Sequence, residues 1–331
     1  MIELNNHQNE YRDLKTIYIG GGTPSSLSIT LLKKLFTTIA KLIDLSKITE
    51  YTIETNPNDI TLEKAQLFKE ALVNRVSIGV QTFNKDHLRF LGRTHDKNDV
   101  LKAIDNLLEV GITNINIDMM FSLINQTMAE LEEDILEVTA LKITHLSYYS
   151  LILEEKTKLH YLYKQNKISM NSEDVEALMY NKVIDELSKK GFYHYEISNF
   201  SKEGKQSLHN LVYWKNLEYL GLGSGAHSLY QGKRFSNIRN VRRYSEYLLE
   251  NKQTITKEYP VEPLKEELIM GLRLLEGIKV SEINKKYQID LLALYPEINK
   301  YLQNKFLKLE NDRLSFTREG LMLGNLIFAI F

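Results

Sequence analysis

Three consecutive glycines, Gly20-Gly21-Gly22, lead into Thr23-Pro24 directly after a β-rich run. That is the carboxyl end of a predicted strand, where parallel α/β proteins gather their ligands. Bare backbone can approach a bound molecule there, and the same run reads equally as a tight turn needing positive φ. Polar groups recur at the ends of the next predicted strands: Glu54 closes YTIET, Gln81 follows VSIGV, and Asp118 sits late in INIDM. A purely structural sheet would carry Val, Ile or Leu at these places, so their convergence reads as the mouth of a ligand site. Arg93 reads either as a partner for one of these carboxylates or as a solvated surface cation. Further on, His209-Asn210 with Tyr213-Trp214 precedes a second glycine-rich loop, Gly221–Ser228, carrying His227. The two histidines read as iron ligands, general acids or hydrogen-bonded structural groups. The chain has no cysteine, so it supplies no thiolate nucleophile, disulfide, zinc–thiolate site or cluster ligand of its own.

The elements that must position these residues alternate short β-rich runs with longer helical patterns, the signature of βα units and a parallel sheet. Strands are expected at 16–20, 51–55, 76–80, 115–119 and 145–150, with a weaker sixth at 193–197. Helical spacing marks 30–42, 62–72, 128–140 and 173–189, and also the pattern Leu101, Ile104, Leu107, Leu108, with Gly111 and Gly191 placed as left-handed caps. Asn56-Pro57 reads as a structural turn into the second helix. After Phe200 the pattern becomes loop-rich, and from Lys205 to Lys257 nine Lys and Arg face three Glu. This basic segment suits an anionic ligand such as a carboxylate-bearing macrocycle, or equally a solvated loop surface.

Beyond Pro260 the sequence suggests helices at 262–275, 280–287 and 291–304, then strands at 306–309 and 313–316 joined by a turn at Asn311-Asp312, and an apolar helix from about Thr317. This resembles a winged-helix module, yet its ten basic and ten acidic residues lack the footprint of a DNA reader. The apolar end GLMLGNLIFAIF is too short to span a bilayer. At 331 residues and 43% hydrophobic content the chain suits about two domains. A net charge of -1 gives no global attraction to nucleic acid or anionic lipid. No signal peptide or spanning stretch is visible, and a cytoplasmic location is expected. The expected organisation is a barrel-like unit over 1–200, a glycine-, aromatic- and base-rich extension over 201–258, and a carboxyl-terminal module over 259–331.

The distributed motifs TIYIGGGTPSSL, ETNPND, RVSIGVQTFN, LGRTHD, NINIDMMF, YYSLILEEKTKL, FYHYEISNF, LHNLVYW, YLGLGSGAHS and LSFTREGLMLGN resemble the radical S-adenosylmethionine proteins related to oxygen-independent coproporphyrinogen III oxidase. Within them the resemblance is to the HemW heme chaperones. It implies a partial TIM-like (β/α)6 barrel and a small winged-helix-like α+β module. It also implies that Gly21, Gly22 and Thr23 hold the methionine end of S-adenosylmethionine, that Glu54, Gln81, Arg93 and Asp118 line the cofactor or its neighbour, and that Ser150 and His227 are further contacts. Heme is the implied cargo, with His209 and His227 as ligand candidates, and heme-accepting respiratory proteins are the implied partners. Nucleic acid is not expected, homo-oligomerisation is left open, and no catalytic residue is assigned.

The departures are equally specific. The family carries a [4Fe–4S] cluster on a CxxxCxxC loop after one more strand, whereas here the chain starts just before the second strand. The expectation is therefore a family protein shortened at its amino terminus, lacking the first strand and the metal ligands, with the strand at 17–19 left as an exposed edge. Ser122 and Ile124 stand where the family has glycine and proline. A heme chaperone that also binds S-adenosylmethionine is the leading expectation. A coproporphyrinogen III oxidase-like radical enzyme of porphyrin biosynthesis is the alternative, argued against by the loop at 208–228, and a cluster-free heme or nucleotide binder using His209 or His227 is the third.

Overall fold

The computed structural model describes all residues, 1–331. Five parallel strands build most of a seven-stranded sheet that curls into a half-barrel. They are β1 (Thr16–Ile19), β2 (Glu50–Thr55), β3 (Arg75–Gln81), β4 (Asn114–Phe121) and β5 (His145–Ser150). The first four are each joined to the next by a crossover of one or more helices, as parallel pairing requires. The helices Ile29–Leu42, Leu62–Glu70, Lys97–Glu109, Met128–Thr139 and Glu173–Lys189 start at Ser28, Thr61, Asp96, Thr127 and Ser172, whose side-chain oxygens accept backbone N–H groups. Asp96 and Thr127 complete capping boxes with Asp99 and Glu130.

Alternation along the strands sorts the side chains. Tyr51 and Ile53 of β2, Val76, Ile78 and Val80 of β3, Ile115, Ile117 and Met119 of β4, and Leu146 and Tyr148 of β5 are buried in one core with the helices. The intervening residues form the concave face, and apart from Gly79 and Met120 they are mostly polar: Thr16, Glu50, Thr52, Glu54, Arg75, Ser77, Gln81, Asn116, Asp118, His145 and Ser147. The register sets Thr16 beside Glu50, Thr52 beside Arg75, Ser77 beside Asn116, and Asp118 beside Ser147.

The sixth strand departs from the expected regular return. A hairpin of β6 (Tyr193–Glu196) and β7 (Asn199–Ser201) closes the sheet, with β7 inserted antiparallel between β5 and β6. Residues 201–258, expected as a loop-rich extension, contain the helix Leu208–Trp214, the strands β8 (His227–Tyr230) and β9 (Lys233–Asn237), the helix Val241–Leu249 and β10 (Ile255–Tyr259). β1 stands at the edge of the sheet as expected, paired with β2 alone, and its half-buried residues are shielded on the concave face by helix Leu208–Trp214.

The carboxyl-terminal helices Pro263–Gly271, Val280–Tyr287, Leu291–Leu294 and Glu297–Gln303 surround a separate core that includes Leu268, Ile283, Ile298, Leu314 and Phe316. The expected 291–304 helix is split at Pro296, whose ring cannot continue an uninterrupted ladder. A two-residue β11 (Ile278–Lys279) joins the hairpin β12 (Leu307–Glu310) and β13 (Arg313–Phe316). Asn311 and Asp312 turn the hairpin with φ of 50° and 67°, as an Asx-rich tight turn should.

At the floor of the half-barrel Glu50 is buried and accepts from the Ser207 hydroxyl (3.3 Å) and from the N–H groups of Leu208 and His209 (2.9 Å each). Its counter-ion is buried Arg75, with Nε 4.0 Å away. Glu50→Ala would leave the Leu208 and His209 N–H groups at the start of helix Leu208–Trp214 without their acceptor and Arg75 buried and unpaired, at a cost of about 3–5 kcal/mol. Urea unfolding of Glu50→Ala beside Arg242→Ala, which breaks an exposed pair worth about 0–1 kcal/mol, checks this. Similar midpoints for the two variants would refute the buried role.

Candidate functional site

At the carboxyl ends of the strands the chain makes a polar mouth. Glu54 accepts from the Tyr18 hydroxyl (2.7 Å) and the Gly21 N–H (3.1 Å), so the end of β2 is tied to the glycine run. Gly20 is required for this closeness, because a Cβ there would lie 2.7 Å from the Tyr18 ring and 2.8 Å from the Glu54 carboxyl. Gly21 and Gly22 have φ of +80° and +124° with nothing within 4 Å of an added Cβ. Both readings of the run therefore hold together: the backbone is one that glycine favours, and it is open.

Asp118 accepts from Asn116 Nδ2 (2.7 Å) and from the Ser77 hydroxyl (3.1 Å). Burial raises the Asp118 and Glu54 carboxyls above the ordinary range, with hydrogen bonds opposing the shift. Each of these acids raises the pKa of Tyr149, and Arg93 lowers it, so all three share one electrostatic neighbourhood. The Tyr149 hydroxyl donates to Gln81 Oε1 (3.0 Å), and Arg93 Nη1 donates to Asn56 Oδ1 (2.6 Å). Arg93 thus binds an amide of the ETNPND segment rather than a carboxylate, and Asn56 lies within the site in addition to its part in the turn.

Gln81 holds φ of 72°, an unusual value for a side chain of its size. The next two residues are clamped by buried Asp134, which accepts from the Thr82 hydroxyl and the Phe83 N–H at 2.7 Å each. Desolvation raises Asp134 to about 6.

Below the mouth, His145 donates from Nδ1 to Asn116 Oδ1 (2.6 Å), and its Nε2 accepts from the Tyr195 hydroxyl (2.8 Å). The Tyr195 oxygen accepts in turn from the Ser207 N–H (3.2 Å). His209 stacks on Tyr18, with centroids 5.0 Å apart, and the hydroxyls of Thr16 and Tyr213 occupy both its ring nitrogens at 2.8 Å. Of its open readings, the hydrogen-bonded structural one is what this geometry presents. Iron could reach His209 only by displacing a hydroxyl.

Gly21, Glu54, Gln81, Arg93 and Asp118 are therefore gathered at one mouth, with Thr23 joined through Asn56 Nδ2 (3.5 Å). Ser150 is paired with Phe121, on the opposite strand parity from Tyr149. His227 is exposed at the start of β8, beside Tyr259 and outside this cluster. Tyr18, Ser77, Asn116, Ser147 and Tyr149 were missed. Their signal was the two-residue alternation carried upstream from the strand ends.

The fold and mouth define a radical S-adenosylmethionine class protein. A Radical SAM superfamily model matches residues 3–138 and a HemN C-terminal domain model matches residues 260–323. The structure of coproporphyrinogen III oxidase (HemN) from Escherichia coli superposes with a TM-score of 0.85 at 19% identity, over 99% of this chain and 80% of that one. The heme chaperone HemW of Bacillus subtilis is 39% identical over 96% of this chain and 86% of its own length. Its Lactococcus lactis counterpart is 38% identical over 97% and 86%. The chain belongs to the HemW family.

His209 is neutral in the fold, its pKa lowered to about 4 by desolvation first and then by Arg75. An unfolded histidine titrates near 6.5. Between these values the unfolded chain takes up a proton that the native site refuses, so this contribution is intact above about 6.5 and lost as pH falls toward 4. Comparing wild type with His209→Asn by denaturation isolates the effect. The stability difference should move toward the variant by on the order of 2–3 kcal/mol from pH 7 to pH 4, and a pH-independent difference would show that His209 is protonated in the fold. At Gln81, substitution by glycine relieves a backbone strain of about 1–2 kcal/mol while losing a hydrogen bond worth about 1 kcal/mol. Stability should change little in Gln81→Gly, and a loss of several kcal/mol in calorimetry would refute the strain.

Proposed function

We propose that the chain is a HemW-like heme chaperone that binds heme and S-adenosylmethionine and passes heme to acceptor proteins, respiratory heme proteins among them. The observation that carries this reading is likeness over almost the whole chain to proteins named heme chaperones. The mouth adds chemical support, because two half-buried carboxylates beside an open glycine backbone suit a ligand bearing a sulfonium and an ammonium group.

S-Adenosylmethionine fits the residues present. The backbone of Gly22 and Thr23 is free to take its carboxylate, while Glu54 and Asp118 would hold its cationic groups and Gln81 and Arg93 would line the remainder. When bound, it supplies a sulfonium centre open to reductive cleavage. The [4Fe–4S] cluster is different: none of the 331 residues is a cysteine, and no set of three His, Cys, Asp or Glu groups is placed to hold a metal. The residues here do not fit that group, so the chain's own chemistry is binding, orientation and charge balance. A porphyrinogen-oxidising enzyme is the weaker reading, since the likeness to the oxidase structure speaks for the fold alone. No helix is long and apolar enough to cross a membrane.

Titration calorimetry tests the cofactor half of the proposal. Wild type should bind S-adenosylmethionine, and Glu54→Gln should weaken it by roughly 10–100-fold, the worth of a charged hydrogen bond. Because the ionised carboxylate is the binding form and its pKa is raised, affinity should begin to fall on acidification while the pH is still above the usual carboxylate range, and this slope should vanish in Glu54→Gln. Equal affinities for the two proteins would remove Glu54 from the site. Hemin titration tests the other half: no shift of the Soret band with wild type would refute heme binding.

A further inference from the structure

A chain of hydrogen bonds crosses the concave face from the start of helix Leu208–Trp214 to the mouth, and the direction of each bond in it can be assigned. It begins at a backbone group. The Ser207 N–H can only donate, and it donates to the Tyr195 oxygen (3.2 Å). The other partner of that hydroxyl is His145 Nε2 (2.8 Å), so the phenolic proton has one acceptor and lies on the line to the ring. Burial, and then Arg75, hold the pKa of His145 well below the ordinary histidine range, so the ring is neutral. A neutral ring that accepts at Nε2 carries its proton on Nδ1, which faces Asn116 Oδ1 at 2.6 Å. The amide is thereby fixed with Nδ2 toward Asp118 Oδ1 (2.7 Å), Ser77 Oγ (2.6 Å) and Ser147 Oγ (3.1 Å).

The opposite order is disfavoured at every step. With its proton on Nε2, His145 would turn a lone pair toward Asn116 Oδ1. An amide flip would repair that contact only by setting Oδ1 against the Asp118 carboxylate, two acceptors at hydrogen-bond distance. The order therefore runs one way, from a backbone N–H through Tyr195, His145 and Asn116 to Asp118. Its end is not saturated. A carboxylate offers about four acceptor positions, Asn116 and Ser77 (3.1 Å) fill one on each oxygen, and Asp118 is half-buried, so places remain for a ligand at the mouth. His145, by contrast, is buried. Arg75 acts on Asp118, His145 and Tyr195 by its charge, while its ion-pair partner is Glu50.

We propose that His145 is a positioning residue for Asp118: Tyr195 selects the His145 tautomer that makes Asn116 present an N–H, and this holds Asp118 as an ordered acceptor for a cationic group of S-adenosylmethionine. It rests on the reading of Asp118 as a contact of that ligand and adds what orders the contact. His145 and Tyr195 act through Asn116 rather than by touching the ligand. Bonds in such a chain polarise one another in a low-dielectric interior, so a change at Tyr195 is felt at the carboxylate.

Two measurements on the full chain test this. Imidazole nitrogen NMR of histidine-labelled protein, with the His145 signals identified by their loss in His145→Asn, should show the Nδ1–H tautomer. An Nε2–H tautomer would overturn the relay whether or not a ligand binds. Titration calorimetry with S-adenosylmethionine then compares wild type, Tyr195→Phe, His145→Leu and His145→Asn, with Tyr195→Phe also made in an Asp118→Asn background and circular dichroism melting as the control for folding. Tyr195→Phe and His145→Leu should bind about three- to tenfold more weakly. His145→Asn, whose amide nitrogen takes the place of Nδ1 as donor, should recover most of that loss. In the Asp118→Asn background the Tyr195→Phe change should have no further effect, because a general loosening of the fold would not depend on residue 118. Wild-type affinity in Tyr195→Phe, no recovery in His145→Asn, or an equal loss with and without the Asp118 carboxylate would each overturn the positioning role. Failure of wild type to bind S-adenosylmethionine would overturn the ligand reading instead, with the tautomer deciding the relay separately.

Discussion

The half-barrel depends on one constraint: in a strand, neighbouring side chains must point to opposite faces. Five parallel strands keep apolar residues on one parity and polar residues on the other, so the helices are held to the convex side by the apolar set, exemplified by Ile53, Ile78, Ile117 and Leu146. The same alternation places Glu50, Arg75, Asn116 and His145 in the interior, where water cannot freely solvate them. They persist because they satisfy one another: Asn116 donates to Ser77 and Asp118 and accepts from His145, while Glu50 receives a helix terminus. A one-residue register slip in any strand would invert both faces together.

That periodicity explains how much was legible. The parallel strands, their helices and the strand-end groups Glu54, Gln81 and Asp118 lie in continuous local patterns, and the family motifs supplied the architecture. Of the hairpin β6–β7 the first strand was legible, but β7 was not, because its three residues, Asn199–Ser201, fill a place between β5 and β6 that only the finished sheet creates. The antiparallel sheet of β8, β9 and β10 was hidden because its strands are four or five residues long, lie among turn formers, and one, β10, is mostly exposed. The partners of Arg93 and His209 were illegible for another reason. Asn56 and Thr16 are 37 and 193 residues away from them, and no local pattern encodes such pairings.

Two non-glycine residues near the mouth have left-handed backbones. Ser122 has φ of 53° and Gln81 has 72°. Such conformations cost of order 1–3 kcal/mol each and persist where surrounding contacts over-determine them. At Gln81 those contacts come from Asp134 through Thr82 and Phe83. At Ser122 the hydroxyl accepts from Asn171, which ties this turn to the segment leading into helix Glu173–Lys189.

The end of the half-barrel gathers acids in a chain that carries almost no net charge. Glu54 and Asp118 lie close enough to influence a common tyrosine, and both are half-buried. A carboxylate-bearing macrocycle entering the mouth would meet like charges in a partly desolvated setting, where repulsion is stronger than in water. A sulfonium ligand would meet counter-charges instead. With a net charge of only -1, that preference comes from local placement, because acids at the ends of nearby strands act together within a Debye length of one another.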